Sequence, residues 1–287
     1  MRTVIITGGN SGLGYETAKK IAKDHNYRLI LACRNPEKAE EAVVKIKEET
    51  GNENVISMNL DTASLSSVRQ FAEDYEKSGL GKVYSLVLNA GISGMHSGIT
   101  EDGMELVFQT NHLGHFLMAN LMMPFMDEEG KIFSTSSDMH DSPMGNMVWE
   151  GTERLAHPSE DGKQDRLRYS FSKLCNLYFI YELARRLEKE GSRIRANAFN
   201  PGMMQTNFAA VDKKWAKMVK LTMPKRFGDL EKSSDAYAEL ITDDSLCLTS
   251  ANYYDRSINA VPSSDLSYNE ENAKELWESS MRLAGLE

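Results

Sequence analysis

Short β-rich runs alternate with amphipathic, helix-like stretches through most of the 287-residue chain. Several of these runs are continuous in Val, Ile and Leu, as in Val4-Ile5-Ile6, instead of alternating with polar residues. Continuous apolar strands are typical of a parallel sheet that is covered on both faces. Strands that alternate with crossover helices form right-handed βαβ units. The sequence therefore predicts one α/β domain over residues 1–287, a doubly wound parallel sheet with helices on both faces.

The positions of the expected elements follow from these runs. Strands are predicted at Thr3–Thr7, Arg28–Cys33, Val55–Asn59, Ser85–Asn89, Lys131–Thr135 and Arg195–Asn200. Helices are predicted at Leu13–Asp24, Pro36–Thr50, Leu65–Lys77, Gly103–Met126 and Tyr169–Glu190. Two long connections interrupt the alternation, one from Ser137 to Tyr169 and one at about 203–232, and long connections are usually functional or disordered. Both follow carboxyl ends of strands, where open α/β sheets bind their ligands.

The second connection, 203–232, is rich in methionine and aromatic residues that are interleaved with lysines. Flexible thioethers adapt to irregular apolar shapes, so we interpret this segment as a lid over a bulky hydrophobic substrate. Packing of the same side chains into an ordinary core is the alternative.

Composition excludes several other classes of protein. The net charge of -9 argues against nucleic-acid binding, which needs a basic surface. The apolar runs are far shorter than the roughly 20 residues that span a bilayer, and the first strand begins too early for a signal peptide. The three cysteines are too few and too widely spaced for a disulfide framework, and neither they nor the histidines show metal-ligand spacing. A cytoplasmic protein without a metal site is the expectation.

A glycine-rich loop lies between the first predicted strand and the first predicted helix. It reads Thr7-Gly8-Gly9-Asn10-Ser11-Gly12-Leu13-Gly14. Glycines allow the backbone to approach a pyrophosphate closely, and the unpaired N–H groups at the helix N-terminus attract its negative charge. The strand–loop–helix context therefore predicts a dinucleotide site of the Rossmann type.

Tyr169 and Lys173 lie four residues apart on a predicted helix, so their side chains share one face. An ammonium group near a phenol favours the phenolate and lowers the pKa of the tyrosine. Such a tyrosine can give a proton to a carbonyl oxygen or remove one from an alcohol. A packed tyrosine beside a solvated lysine is the alternative, and the glycine loop upstream makes it the weaker one.

Six short motifs along the chain occur in an order that resembles one enzyme family. They are Thr7-Gly8-x-x-x-Gly12-x-Gly14, Asn89-Ala90-Gly91, Asn111 in Thr-Asn-His-Leu-Gly, Ser136-Ser137, Tyr169-x-x-x-Lys173, and Asn200-Pro201-Gly202 with Thr206. Over nearly the whole chain, this order resembles the short-chain dehydrogenase/reductase family. Within that family, the stretch from Tyr169 to Asn176 and the ending from Leu266 to Leu286 resemble the retinol dehydrogenases and protochlorophyllide oxidoreductases.

The resemblance implies roles for individual residues. The catalytic residues are Tyr169 as acid/base, Lys173, Ser137 as donor to the substrate oxygen, and Asn111 in a proton relay, with Ser136 as the alternative serine. The residues implied to bind the cofactor are Gly8, Asn10, Ser11, Gly12, Leu13, Gly14, Arg34, Asp61, Asn89, Ala90, Gly91, Tyr169, Lys173, Pro201, Gly202 and Thr206.

The residue after the second strand determines which cofactor is expected. An acid there would bond the 2′-hydroxyl of the NAD ribose, whereas an arginine accommodates the 2′-phosphate of NADP. Here Arg34 follows Cys33, and no carboxylate occurs before Glu37. Arg34 therefore predicts NADP(H). Asp61 resembles the family residue that contacts the adenine, and capping of the next helix is its alternative role.

These observations together predict an NADP(H)-dependent enzyme that interconverts a carbonyl and an alcohol on a steroid-, retinoid- or bile-acid-like molecule, with homo-oligomerisation left open. Two alternatives share the same motifs. One is a C=C reductase like the protochlorophyllide enzymes, and the other is an NADP(H)-binding sensor without turnover. Asn111, Ser137, Tyr169 and Lys173 together argue against the sensor.

Overall fold

Eight strands of the computed structural model, which describes residues 1–157, 167–204 and 226–287, form one sheet in the order β3-β2-β1-β4-β5-β6-β7-β8. Neighbouring strands are parallel except for the antiparallel pair of β7 and β8. The strands are β1 Arg2–Thr7, β2 Tyr27–Cys33, β3 Val55–Asn59, β4 Val83–Leu88, β5 Met126–Thr135, β6 Arg195–Asn200, β7 Tyr253–Asp255 and β8 Ala260–Val261. The predicted doubly wound α/β sheet is confirmed.

The helices of the described residues alternate with the strands as far as β6. They are α1 Gly12–Ala22, α2 Pro36–Thr50, α3 Leu65–Ser78, α4 Leu106–Phe108, α5 Gly114–Met122, α6 Thr152–Ala156, α7 Arg168–Lys189, α8 Leu230–Thr242 and α9 Glu270–Leu283. Local chemistry sets their ends. The α2 helix, for example, begins with a proline after Asn35, whose side chain accepts a hydrogen bond from the Lys38 N–H, and it ends at Gly51 with φ +73°.

Two hydrophobic cores lie on opposite faces of the sheet. Along β1, Val4 and Ile6 contribute to one core and Ile5 to the other, as the alternation of side chains along a strand requires. Helices α1, α2 and α8 cover the first face, and α3, α5, α7 and α9 cover the second. Strands buried on both sides explain why these runs are continuously apolar.

The predicted helix Gly103–Met126 is interrupted in the structure. Gly103 is in a turn with φ +81°, and the helix starts only at α4, where the Glu105 side chain caps the Phe108 N–H. A π-helical turn over Gln109–Leu113 then separates α4 from α5. At Gly114 a Cβ atom would lie 2.2 Å from the Thr62 carbonyl oxygen, so only glycine permits this close packing. Most of the predicted helix is therefore present, but it begins three residues later than predicted, contains a π-helical turn, and ends before β5 begins at Met126.

Residues 205–225, which make up most of the predicted lid segment, and Thr206 with them, lie outside the described residues. The residues on either side of 205–225 hydrogen-bond one another. The Met203 N–H donates to the Arg226 carbonyl at 2.7 Å, and the Gly228 N–H donates to the Met203 carbonyl at 3.0 Å. In the part of the chain that the structure describes, no helix is long and apolar enough to cross a membrane.

Candidate active site

The glycine-rich loop lies at the carboxyl end of β1 and leads into α1. Gly8 and Gly12 have φ values of +65° and +55°, which favour glycine. A Cβ atom at Gly14 would lie 2.6 Å from the Gly8 carbonyl oxygen. The first turn of α1 contains no acidic side chain, so its N–H groups face no competing negative charge from their own helix. The tight turn and open helix N-terminus fit the pyrophosphate of a dinucleotide.

The neighbouring strand end is fastened to this loop through Thr7. The Thr7 hydroxyl accepts hydrogen bonds from the N–H groups of Asn89 at 2.8 Å and Ala90 at 2.7 Å. The Asn89 side chain donates to the Thr7 carbonyl at 2.9 Å. A Cβ atom at Gly8 would lie 3.1 Å from the Ala90 Cα atom. The structure thus brings the predicted cofactor residues of β1 and β4 together.

Arg34 and Asp61 follow the carboxyl ends of β2 and β3, at the same edge of the sheet as the glycine loop. Arg34 is exposed, and no hydrogen bond or ion pair of its side chain is found among the described residues. Asp61 is half-buried, and its carboxylate accepts from the Ala63 N–H at 2.9 Å, while Ser64 caps α3. Arg34 is therefore placed to meet a ligand, whereas Asp61 also stabilises its own turn.

Lys173 is buried on α7, with only 3% of its surface exposed. Its ammonium group donates to the Thr135 carbonyl at 2.9 Å and lies 5.6 Å from the centre of the Tyr169 ring. Burial lowers the pKa of Lys173 to about 8 because a charged ammonium is poorly solvated there. The predicted shared face of Tyr169 and Lys173 is present.

The hydroxyl of Tyr169 is a weaker acid than the sequence predicted. From the sequence we expected the Lys173 ammonium to lower its pKa. Instead, burial raises the pKa of Tyr169 above its ordinary value, a hydrogen bond with Ser137 lowers it in part, and the charge of Asp138 raises it further. Tyr169 is thus protonated at neutral pH, which suits a group that gives a proton to a carbonyl oxygen.

The two adjacent serines after β5 have different partners. The Ser136 hydroxyl is buried and donates to the Lys173 carbonyl at 3.0 Å, which ties β5 to the backbone of α7. The Ser137 hydroxyl accepts from the Met139 N–H at 3.1 Å and hydrogen-bonds Tyr169. Of the two candidates, Ser137 is therefore the one that lies against the tyrosine hydroxyl.

Asn111 lies in the π-helical turn and is completely buried. Its side-chain oxygen accepts from the Ile92 N–H at 2.8 Å, and its amide donates to the Ile92 carbonyl and the Ser172 hydroxyl, both at 3.0 Å. The Ser172 hydroxyl in turn donates to the Tyr169 carbonyl at 2.7 Å. The Asn111 amide therefore joins the loop after β4 to α7, and Lys173 is not among the hydrogen-bond partners of its side chain in the described residues.

The loop after β6 carries Pro201 and Gly202, which were predicted to contact the cofactor. Gly202 has φ +75°, and a Cβ atom there would lie 2.6 Å from the Gly228 nitrogen. The Pro201 carbonyl accepts from the Ser233 hydroxyl of α8 at 3.0 Å. The loop thus lies at the same carboxyl edge as the glycine loop, closely packed against Gly228 and the start of α8.

A cluster of charged residues beside Ser137 was not predicted from the sequence. The Arg226 guanidinium donates to the Asp138 carbonyl at 3.0 Å, and that of Arg256 lies 3.1 Å from the Asp138 carboxylate and 3.1 Å from that of Asp255. Asp138, Arg226 and the adjacent pair Asp255-Arg256 lie far apart in the chain, so no spacing could have revealed the cluster. In the described ranges, no group of three or more His, Cys, Asp or Glu residues could hold a metal ion.

Comparison with known proteins gives concordant matches. The family described as short chain dehydrogenase matches residues 2–149. The WW domain-containing oxidoreductase of Gallus gallus is 34% identical over 287 residues, which cover 98% of this chain and 68% of that protein. Retinol dehydrogenase 13 of Homo sapiens is 34% identical over 300 residues, which cover 100% of this chain and 85% of that protein.

A solved structure agrees with these sequence matches. The crystal structure of an uncharacterised protein from Mycobacterium Paratuberculosis superposes with a TM-score of 0.73 at 31% identity. The superposition covers 99% of this chain and 94% of that one. The architecture described above, including its C-terminal part, is therefore shared with a protein solved by experiment.

Proposed function

The chain belongs to the short-chain dehydrogenase/reductase family and is an oxidoreductase of alcohol and carbonyl groups, and we propose that it uses NADP(H) on a bulky hydrophobic small molecule. The observation that supports this most is the arrangement on α7. Tyr169 hydrogen-bonds Ser137 and lies beside the buried Lys173, at the sheet edge that carries the glycine loop.

We propose that NADP(H) is held by the residues at this edge. The loop from Gly8 to Gly14, the strand end Asn89-Ala90-Gly91 and the turn at Pro201-Gly202 fit the dinucleotide backbone. The exposed Arg34 would pair with the 2′-phosphate through two parallel N–H bonds. When bound, the nicotinamide supplies or accepts the hydride. The contact of Asp61 with the adenine and the role of Thr206 in cofactor binding remain predictions from the resemblance.

The proposed chemistry uses four side chains. Tyr169, protonated at neutral pH, gives its proton to the carbonyl oxygen of the substrate, or takes one back from the alcohol in reverse. Ser137 donates to the same oxygen and stabilises the charge that develops there. Lys173 places a positive charge 5.6 Å from the centre of the tyrosine ring. Asn111 positions the start of α7 through its hydrogen bond to Ser172.

The substrate class is supported by two exposed methionines near the start of α7. Met95 follows Gly94, where a Cβ atom would lie 3.0 Å from the Cβ atom of Tyr169. Met144 precedes Gly145, where a Cβ atom would lie 3.7 Å from a methyl group of Leu167. Exposed thioethers on the segments that pack against the start of α7 favour a large, irregular apolar molecule. The name of the human relative, retinol dehydrogenase 13, agrees with a retinoid-like or similarly sized substrate. The role of 203–232 as a lid remains a prediction from the sequence.

The experiment is a screen of the purified chain for NADPH and NADH oxidation against aldehydes and ketones of graded size. We expect turnover with NADPH that improves with apolar size. In Tyr169→Phe the ring remains but the proton donor is lost, so turnover should fall by about 10²-fold or more while NADPH still binds. NADPH binding without turnover of any compound would favour the sensor, and NADPH-dependent reduction of a bound tetrapyrrole in light would favour the C=C reductase.

A further inference from the structure

His115 lies on α5, one residue after Gly114, and only 2% of its surface is exposed. Its Nε2 atom is 3.0 Å from the Thr7 hydroxyl, and its Nδ1 atom is 3.1 Å from the Asn111 carbonyl oxygen. The imidazole therefore joins Thr7, the first residue of the glycine motif, to Asn111 in the π-helical turn. No role in the proposed reaction has yet been assigned to it.

The partners of the ring determine which nitrogen carries the proton. The Asn111 carbonyl can only accept, so Nδ1 must donate to it. The Thr7 hydroxyl already accepts from the N–H groups of Asn89 and Ala90, which occupies both of its lone pairs. Its own proton is therefore donated to Nε2. Every polar atom of the ring and of the hydroxyl is used in this single arrangement.

A charged imidazole does not fit this arrangement. An Nε2–H group would point at a hydroxyl oxygen that has no free lone pair. Burial and the nearby charge of Lys173 lower the pKa of His115 to about 4, although the bond to the Asn111 carbonyl raises it in part. The ring is thus neutral throughout the physiological range and acts as a fixed hydrogen-bonding bridge.

We propose that His115 is a positioning residue for the dinucleotide site. By accepting from the Thr7 hydroxyl, it aims the two lone pairs of that oxygen at Asn89 and Ala90, and so sets the end of β4 against β1. By donating to Asn111, it couples this strand end to the turn that holds α7. This inference rests on the proposed function, because the strand end matters only if a dinucleotide binds there.

The chain offers a matched control on the same stretch. His112 is equally buried, but its Nε2 atom lies 3.0 Å from the Ser280 hydroxyl of α9, away from the glycine loop. We compare His115→Leu with His112→Leu and measure the dissociation constant of NADPH by fluorescence, together with the melting temperature. His115→Leu should weaken NADPH binding about 5- to 10-fold, as expected for loss of a buried hydrogen bond of about 1 to 1.4 kcal/mol. His112→Leu should lower the melting temperature but change the NADPH dissociation constant less than about twofold.

A double-mutant cycle tests whether His115 acts through Thr7. Thr7→Val removes the hydroxyl, so the combination of Thr7→Val with His115→Leu should bind NADPH no more weakly than Thr7→Val alone. Additive losses, an unchanged dissociation constant in His115→Leu, or an equal loss in His112→Leu would each overturn the inference. If the wild-type chain binds neither NADPH nor NADH, the proposed function itself fails.

A measurement on the wild-type protein does not depend on any variant folding. Nitrogen-15 NMR of the imidazole distinguishes its two tautomers. We expect the Nδ1–H form of His115, without titration between pH 8 and pH 5. An Nε2–H form, or titration near pH 6.5, would contradict the bridge.

Discussion

Arg34 is the residue on which the choice of cofactor depends. It is exposed directly after β2, where its guanidinium can form two parallel hydrogen bonds with a phosphate. Arg34→Ala should raise the dissociation constant of NADPH about 10- to 150-fold, equivalent to the loss of about 1.5 to 3 kcal/mol from a charge-assisted contact. The dissociation constant of NADH should change little. Titration of both cofactors, with the exposed Arg193→Ala as control, decides this, and a wild-type preference for NADH would reverse the assignment.

The two serines after β5 should respond differently to loss of their hydroxyls. Ser137→Ala removes a donor beside Tyr169 and should lower kcat about 10²-fold or more. Ser136→Ala removes the bond to the Lys173 carbonyl, so it should cost about 1 kcal/mol of unfolding free energy and have a smaller effect on kcat. Steady-state kinetics and urea unfolding of both variants test the assignment, and the reverse pattern would make Ser136 the catalytic serine.

Among the individual residues of the site, the sequence predicted those whose type and spacing along the chain both carry information. Tyr169 and Lys173 share a face because four residues make about one helical turn. The acidity of Tyr169 could not be predicted, because burial by distant segments and the neighbouring Asp138 raise its pKa. His115 could not be recognised either, since its partner Thr7 lies more than a hundred residues away.

Among the elements, α7 carries both proposed catalytic side chains and depends on α9 for support. Trp277 of α9 stacks on Phe179 of α7 with ring centres 6.0 Å apart, and it contacts Phe116 of α5 edge-on at 5.0 Å. The Arg186 guanidinium lies over the indole, 4.4 Å from its centre. The C-terminal helix therefore helps to fix the position of the active-site helix.

Trp277→Ala should accordingly affect both stability and turnover. We expect a loss of about 3 to 5 kcal/mol of unfolding free energy and a lower kcat, because the cavity lies against the helix of Tyr169. Leu240→Ala on α8, in the core of the opposite face, should cost about 2 to 5 kcal/mol and leave kcat nearly unchanged. Denaturant titration, with kcat measured where both variants are folded, tests this. Equal effects on kcat would mean that α9 supports only the fold.

The elements that were predicted correctly are those with a strong local pattern. Strands β1, β2 and β4 contain continuous apolar runs because helices cover both faces of the sheet. Strands β7 and β8 contain only three and two residues, too few for a periodic signal. The close packing of Gly114 on Thr62 could not be predicted, because only the folded chain brings these two residues together.

Buried histidines make the stability of the whole molecule depend on pH. His112 and His115 are both buried on the helical stretch between β4 and β5, and burial lowers their pKa values to about 3 and about 4. Burial also lowers the pKa of His140, whose ring joins the Ser137 carbonyl to the Ser264 N–H. These rings are neutral in the folded chain at pH values where an unfolded chain already binds protons.

The expected consequence is a loss of stability in mild acid. Since the folded pKa values lie below the ordinary 6.5, the unfolded state binds more protons as pH falls from 6.5 towards 4, and unfolding becomes easier. At pH 5, His112 and His115 should each cost about 2 kcal/mol relative to pH 8. Urea unfolding at both values tests this. His112→Leu should reduce the difference in unfolding free energy between pH 8 and pH 5 by about 2 kcal/mol. The exposed His157→Gln serves as control. An unchanged difference in His112→Leu would show that other groups cause the acid sensitivity.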